Sequence, residues 1–216
     1  GDLAPCPAIE SDPAVLAYTS GTTDDPKGVI LTHGNLLAEQ HGALSAVRVY
    51  EHDAILGVLP LFHVLAQASN LFLPFAAGAR VVHLATLDTA EMMRAFRERG
   101  ITSFCVVPQF YYLLHRRILE RVAASGWSAG AVFRLLQAVN YRLRASFGVN
   151  LGRRLFSQAH DALGGRMRLL LCGGSRFDPG VGRDLYSMGF NILQVYGLTE
   201  CTGAATVTRM GDPNVG

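Results

Sequence analysis

Apolar residues fall in short blocks along the chain, and polar residues with helical spacing separate the blocks. Seven blocks read as strands: VLAYTS (15–20), GVILT (28–32), AILGVLP (54–60), ARVVHL (79–84), SFCVVP (103–108), MRLLLCG (167–173) and NILQVYG (191–197). Several are apolar on both faces, as in parallel strands covered above and below. HGNLLAEQHGALSAV follows Thr32, a side chain suited to an N-cap. DTAEMMRAFRERG opens on Asp88 and closes on Gly100, so it carries a helix start and a helix stop. This alternation predicts an α/β domain with a mainly parallel sheet flanked by helices.

The stretch 109–165 breaks the rhythm. It contains no good strand, only helical pattern punctuated by Gly126, Gly130, Gly148 and Gly152. Between Arg116 and Arg168 stand ten arginines against two acids, Glu120 and Asp161. Two readings of this segment stand: a solvated helical surface in an arginine-rich protein, which is preferred, or a basic amphipathic face that meets an anionic membrane or a phosphate-bearing ligand.

Composition narrows the function classes. Half of the 216 residues are hydrophobic and 17% are charged, enough for a sizeable core. No apolar run is long enough to span a bilayer, and the first residues lack the pattern of a signal peptide. Cys6, Cys105, Cys172 and Cys201 form no CxxC pair and suit no zinc site. A reducing, cytoplasmic compartment is expected. The net charge of +2 gives no reason to expect a nucleic-acid partner.

Residues 18–28, YTSGTTDDPKG, concentrate hydroxyls and glycines and end near Lys27, the one lysine of the chain. Small residues let backbone amides approach an anion, the hydroxyls of Thr19, Ser20, Thr22 and Thr23 add donors, and Lys27 adds a point charge. That chemistry suits a polyphosphate, although such a cluster is also ordinary turn material. It is not a Walker A loop. Pro26 stands where the second glycine should be, Gly28 replaces the metal-binding hydroxyl, and the strand-like GVILT follows where a helix should open. A hairpin between two strands is expected, with Asp24 and Asp25 at its tip facing solvent.

YTSGTTDDPKGV resembles the phosphate-loop signature of the acyl-adenylate-forming (AMP-binding) ligases, which include acyl-CoA synthetases, aryl-CoA ligases, luciferases and peptide-synthetase adenylation domains. Three further stretches follow in that family's order: LPLFH (59–63), CGGSRFDP (172–179) and VYGLTE (195–200). The long helical insertion and GGSRFDP are most similar to the long-chain fatty acyl-CoA synthetase branch. Asp24 departs from the family's usual glycine or serine.

The resemblance implies a reaction in two halves: a fatty carboxylate attacks ATP and releases pyrophosphate, then coenzyme A takes the acyl group. It implies a phosphate grip made by Thr19, Ser20, Gly21, Thr22, Thr23 and Lys27, and an adenine slot between Gly173, Gly174, Ser175 and Tyr196–Gly197. Thr199 would contact the α-phosphate, Glu200 would hold Mg²⁺, and His63 would line the carboxylate site. Without the GLTE that follows it, Tyr196 reads better as a core tyrosine at a strand end, and Gly173–Ser175 alone read as well as a strand-end turn. The other histidines carry no motif and read as structural. An apolar acyl tunnel is expected from the helices near residues 62–75 and 110–114.

The resemblance also implies that residues 1–216 are a fragment of the large domain, cut at both ends and without the lid domain, so that the chain alone should have little ligase activity. Alternatives are a ligase that loads carrier protein or takes aryl or short-chain acids, a non-catalytic nucleotide-binding module, and a P-loop kinase or GTPase, which Pro26 and Gly28 disfavour. Peripheral membrane contact through 116–168 remains the second expectation for that segment.

Overall fold

The computed structural model describes residues 7–19, 25–86 and 88–213. Two strands open the chain, β1 (Pro13–Thr19) and β2 (Lys27–Thr32), and they pair antiparallel as a separate hairpin. Helix α1 (His33–Ala46) begins directly after β2. Its N-cap is Thr32, whose Oγ1 accepts the Asn35 amide at 3.2 Å while Asn35 Oδ1 accepts the Thr32 amide at 3.0 Å. This reciprocal pair satisfies two donors that a helix start would otherwise orphan.

The main sheet follows. Strands β3 (Ala54–Gly57), β4 (Arg80–His83), β5 (Ser103–Val106), β6 (Leu169–Cys172) and β7 (Ile192–Tyr196) lie parallel, and a two-residue β8 (Thr206–Val207) pairs antiparallel to β7. The spatial order is β4-β3-β5-β6-β7-β8. Each expected strand is found. The two hairpin strands start earlier than their apolar blocks, and the parallel strands are shorter than theirs.

Between β3 and β4 run α2 (Val64–Gln67), a π-helical turn (Ala68–Phe72) and α3 (Leu73–Ala77). Helix α4 (Thr89–Glu98) links β4 to β5 and starts on Asp88, whose carboxylate accepts the Glu91 amide at 2.9 Å. The insertion before β6 is wholly helical: α5 (Pro108–Ala124), α6 (Trp127–Phe147), α7 (Gly152–Leu155) and α8 (Ser157–Ala162). Helix α9 (Pro179–Ser187) connects β6 to β7. Gly126 and Gly148 separate helices and Gly152 opens α7, as expected, whereas Gly130 lies inside α6.

Strand alternation sends side chains to two different environments. Leu56, Phe104, Val106, Leu170, Cys172 and Ile192 point into the main core with Phe96 of α4, Tyr111 of α5 and Leu185 of α9. Cys105 and Cys172 are buried, and burial pushes their thiols up to about 11 and about 12, so both act as small apolar residues.

Not all ten arginines of 116–168 are solvated. Arg144 is buried and donates to the carbonyls of Tyr186 (2.7 Å) and Phe190 (2.9 Å) and to Asn191 Oδ1, tying α6 to α9 and β7. Arg168 pairs with the buried Asp53 and also donates to the Arg48 carbonyl at 2.8 Å. Arg153 donates to the Met167 carbonyl at 2.9 Å. These three guanidinium groups fasten the insertion and the amino-terminal side of the sheet; the other seven arginines of the segment are exposed.

Candidate active site

The last described pair of the hairpin is Thr19 opposite Lys27, so the polar loop leaves from the ends of two registered strands. Ser20, Gly21, Thr22, Thr23 and Asp24 lie outside the described residues. Asp25 and Lys27 are exposed, which agrees with a carboxylate turned to solvent at the tip.

Two contacts fix where the hairpin sits. Its inner face, Ala17 and Leu31, packs with Val64 at the start of α2. Its β2 strand also lies against the 3₁₀ turn Thr199–Cys201. The hairpin therefore meets both the residue that follows the LPLFH stretch and the turn that carries the end of the GLTE stretch. His63 precedes Val64 as the N-cap of α2; it is exposed, its ring centroid lies 4.3 Å from that of Phe62, and its amide donates to the Pro60 carbonyl. It is thus a surface residue beside the hairpin and not a core histidine.

β6 and β7 are neighbours in parallel register, with Cys172 opposite Gln194, so their carboxyl ends emerge side by side. Gly173 follows β6 and is buried. A Cβ there would come within 2.9 Å of Leu65 Cδ2 and 3.2 Å of the Val195 carbonyl oxygen, so a larger residue would displace the Leu65 side chain and crowd the end of β7. Gly174 and Ser175 are exposed beyond it, and Tyr196 closes β7 with 64% of its surface free. A flat ring and a glycine turn thus stand side by side at the carboxyl ends of two neighbouring parallel strands, the end of an open α/β sheet at which ligands bind.

After Tyr196 the chain folds back tightly. The Gly203 amide donates to the Leu198 carbonyl (3.2 Å) and the Ala205 amide to the Tyr196 carbonyl (2.9 Å). Thr202 is left-handed at φ 66° and Gly203 has φ 124°. A Cβ on Gly197 would stand 1.6 Å from the Gly203 carbonyl oxygen, so only glycine permits this closure. The turn presents Thr199, half-buried, and Glu200, exposed. No cluster of three metal-ligating side chains exists among the described residues. A single exposed carboxylate suits Mg²⁺, which takes one or two protein carboxylates and completes its shell with phosphate oxygens and water.

Sequence reasoning missed Glu39. It lies half-buried on α1, and its Oε1 accepts the Ala204 amide at 2.9 Å, so it braces the far end of the same turn. Burial pushes its carboxyl up to about 7, and the Ala204 hydrogen bond opposes the rise. An acid within a helical pattern normally marks a solvated face, and no motif surrounds this one.

Beneath α1 and α2–α3, on the sheet face opposite the main core, lies an apolar cavity of about 310 Å³. Leu65 and Leu73 line it from above, and Ile55, Cys105, Leu171 and Val195 from the sheet. The 62–75 segment thus contributes to a cavity as expected, but 110–114 does not. Phe110 packs edge-on against Phe104 at 4.9 Å, and Tyr111 is fully buried with its hydroxyl donating to the Leu171 carbonyl at 2.8 Å. The reason is alternation: Phe104 and Val106 face α5, while Cys105 between them faces the cavity.

The family model for AMP-binding enzymes matches residues 2–216. The chain is 32% identical over 213 residues to the Arabidopsis thaliana protein named long chain acyl-CoA synthetase 7, peroxisomal, covering 95% of this chain and 30% of that one. It is 31% identical to fatty acyl-CoA synthetase A of Dictyostelium discoideum, covering 95% of this chain and 31% of the relative. The chain therefore spans about a third of the length of these relatives. Among solved structures, a malonyl-CoA ligase in a ternary product complex with methylmalonyl-CoA and AMP shares the fold, with TM-score 0.68 and 24% identity over 97% of this chain and 37% of the other.

Proposed function

The chain belongs to the AMP-binding enzyme family, and from that premise we propose that it forms the nucleotide-binding part of an ATP-dependent, AMP-forming long-chain fatty acid–CoA ligase. The observation that carries the proposal is the packing of the β1–β2 hairpin against the turn Thr199–Cys201, beside the paired strand ends that bear Gly173 and Tyr196.

In this reading Lys27 and Thr19, with Ser20, Gly21, Thr22 and Thr23, hold the β- and γ-phosphates. The Tyr196 ring takes one face of adenine, and Gly173, Gly174 and Ser175 admit the other because they carry at most one small side chain between them. Gly197 closes the turn so that the Thr199 hydroxyl reaches the α-phosphate. Glu200 would hold Mg²⁺, which supplies charge neutralisation at the phosphate oxygens when bound. The protein's own contribution is placement of groups and electrostatic complementarity in a fixed frame. His63 would border the substrate carboxylate; it is not needed as a base, since that carboxylate is already ionised at neutral pH.

The cavity under α1 supports an acyl site, because it is apolar and its wall includes Leu65, which touches the position of Gly173. Coenzyme A is the proposed acceptor, on the strength of the relatives named as acyl-CoA synthetases. A cytoplasmic location belongs to the same proposal. The test is a pyrophosphate-release assay on the whole ligase that contains this part, with ATP, Mg²⁺ and acids of graded chain length, and with thioester product measured for CoA and for holo-carrier protein. Long-chain substrates and acyl-CoA product are expected. Product on carrier protein alone, or turnover with aromatic acids alone, would sink the reading.

A second proposal concerns the basic insertion. Helix α6 exposes Trp127, Val132, Leu135 and Val139 together with Arg134 and Arg142, and no described helix is long and apolar enough to cross a membrane. This face suits peripheral contact with an anionic lipid surface.

A further inference from the structure

The cavity under α1 is apolar almost throughout, yet one of its walls carries an acid. Among the described side chains that line it, Glu39 is the one with a carboxyl group. Its Oε1 is held by the Ala204 amide at 2.9 Å, and Oε2 has no protein donor among the described residues. The position is built, because Ala204 ends the turn that Gly197 closes, and Gly203 leaves room for the carboxylate: a Cβ there would stand 2.8 Å from Oε1.

We propose that Glu39 makes filling of this cavity by a hydrocarbon chain a proton-linked event, so that a chain binds well beside the protonated side chain and poorly beside the carboxylate. The inference rests on the reading of the cavity as the acyl site. A chain that enters displaces the water that solvates Oε2, and a carboxylate stripped of water and of donors takes up one proton from solvent.

The neighbouring titratable groups do not change this picture. His33 and His41 lie on the same helix, Lys27 on the hairpin, His63 before α2, Glu200 and Cys201 in the 3₁₀ turn, and Cys105 across the cavity. None forms an ion pair with Glu39 among the described residues. Burial, opposed by the Ala204 amide, sets its proton affinity, and the free protein's carboxyl stands at about 7.

The sign follows from linkage. Glu39 binds its proton more tightly in the filled cavity than in the empty one. Chain affinity is therefore full below pH 7 and falls above it, by up to about tenfold per pH unit, until the filled-cavity value is passed. Glu39→Gln is neutral at every pH, and its carbonyl oxygen can still accept the Ala204 amide, so the turn keeps its brace.

The experiment is calorimetric titration of the protein and of Glu39→Gln with dodecanoate and with dodecan-1-ol from pH 6 to pH 9. The alcohol removes any contribution from titration of the ligand. The wild-type protein should lose about tenfold in affinity for both ligands between pH 6.5 and 8.5. Glu39→Gln should change by less than about twofold, and at pH 8.5 it should bind about tenfold more tightly than wild type. A gain of affinity at high pH is not something a merely loosened turn can produce. Chain binding with the same pH profile in both proteins would overturn the role of Glu39 and leave the cavity reading intact. Absence of binding at any pH would overturn the cavity reading itself.

Discussion

Lys27 stands exposed at the mouth of the hairpin, where no carboxylate of the described residues pairs with it. Its charge is available to a ligand. Lys27→Ala should weaken ATP binding roughly 10- to 100-fold, the size of a lost charge-assisted hydrogen bond, and AMP binding much less, because AMP lacks the outer phosphates. Equal losses for the two nucleotides, measured by titration calorimetry, would place Lys27 elsewhere. Asp53 poses a different residue-scale question. It is 1% exposed, and burial alone would raise its carboxyl; hydrogen bonds from Arg168, Thr102 and the Tyr50 amide, with the Arg168 charge, outweigh burial and hold it below the usual range. Asp53→Asn leaves Arg168 without its partner and should cost about 3 kcal/mol at neutral pH. Because the folded carboxyl is depressed, its contribution is fully present above the unfolded value near ~3.9 and is lost as pH falls through the folded value. The gap between wild type and variant in urea denaturation should therefore close in acid. Lys27 was legible in the sequence because a lone lysine ends a polar, glycine-bearing stretch. Asp53 and Glu39 were not, since their partners Arg168 and Ala204 lie more than a hundred residues away and only the folded sheet brings them near.

At the scale of elements, the strands and their helical connections could be read ahead of the structure because β-branched and apolar blocks in this chain are short and well punctuated. β8 could not, since two residues paired antiparallel to β7 have no periodicity to detect. The insertion shows a second limit. Gly130 resembled a break, yet α6 runs through it, because Asn140 and Arg144 pin the helix to α9 and to the chain around Leu151 and outweigh one poor helix former. A Cβ at Gly130 meets nothing within 4 Å, so Gly130→Ala should stabilise the protein by about 0.5–1 kcal/mol, read as a shift in denaturation midpoint. Gly197→Ala should do the opposite. The 1.6 Å approach to the Gly203 carbonyl forces the turn open and carries Thr199 away from Tyr196. AMP affinity should fall at least roughly tenfold while the main core, which lies across the sheet, stays cooperative in thermal unfolding. Normal AMP binding by the Gly197→Ala protein would mean that the turn does not shape the nucleotide site.

Across the whole molecule the sheet is closed on one face by α4, α5 and α9 and is hollow on the other beneath α1. The elements proposed to hold nucleotide gather along one end of the strands, and α6 packs outside α5 and α9 as a third layer. Its inner side is committed: Asn140 donates to the Ser187 carbonyl at 2.7 Å, and the Arg144 guanidinium lies 3.9 Å from the Tyr186 ring centroid. Its outer side is free. Trp127 is 87% exposed and Leu135 63%, with the exposed Arg134 and Arg142 along the same face and Arg116, Arg117 and Arg121 on α5. Apolar side chains in water gain by entering a lipid interface, and the guanidinium groups gain from anionic headgroups within a Debye length. The protein should therefore co-sediment with vesicles containing phosphatidylglycerol and not with pure phosphatidylcholine, and high salt should release it. Trp127→Ala and Leu135→Ser remove apolar contact without touching the Asn140 and Arg144 anchors, so they should lower vesicle binding and leave thermal stability within about 0.5 kcal/mol. Binding that ignores both headgroup charge and these two substitutions would show that some other surface meets the lipid, and no binding at all would return α6 to a plain solvated helix.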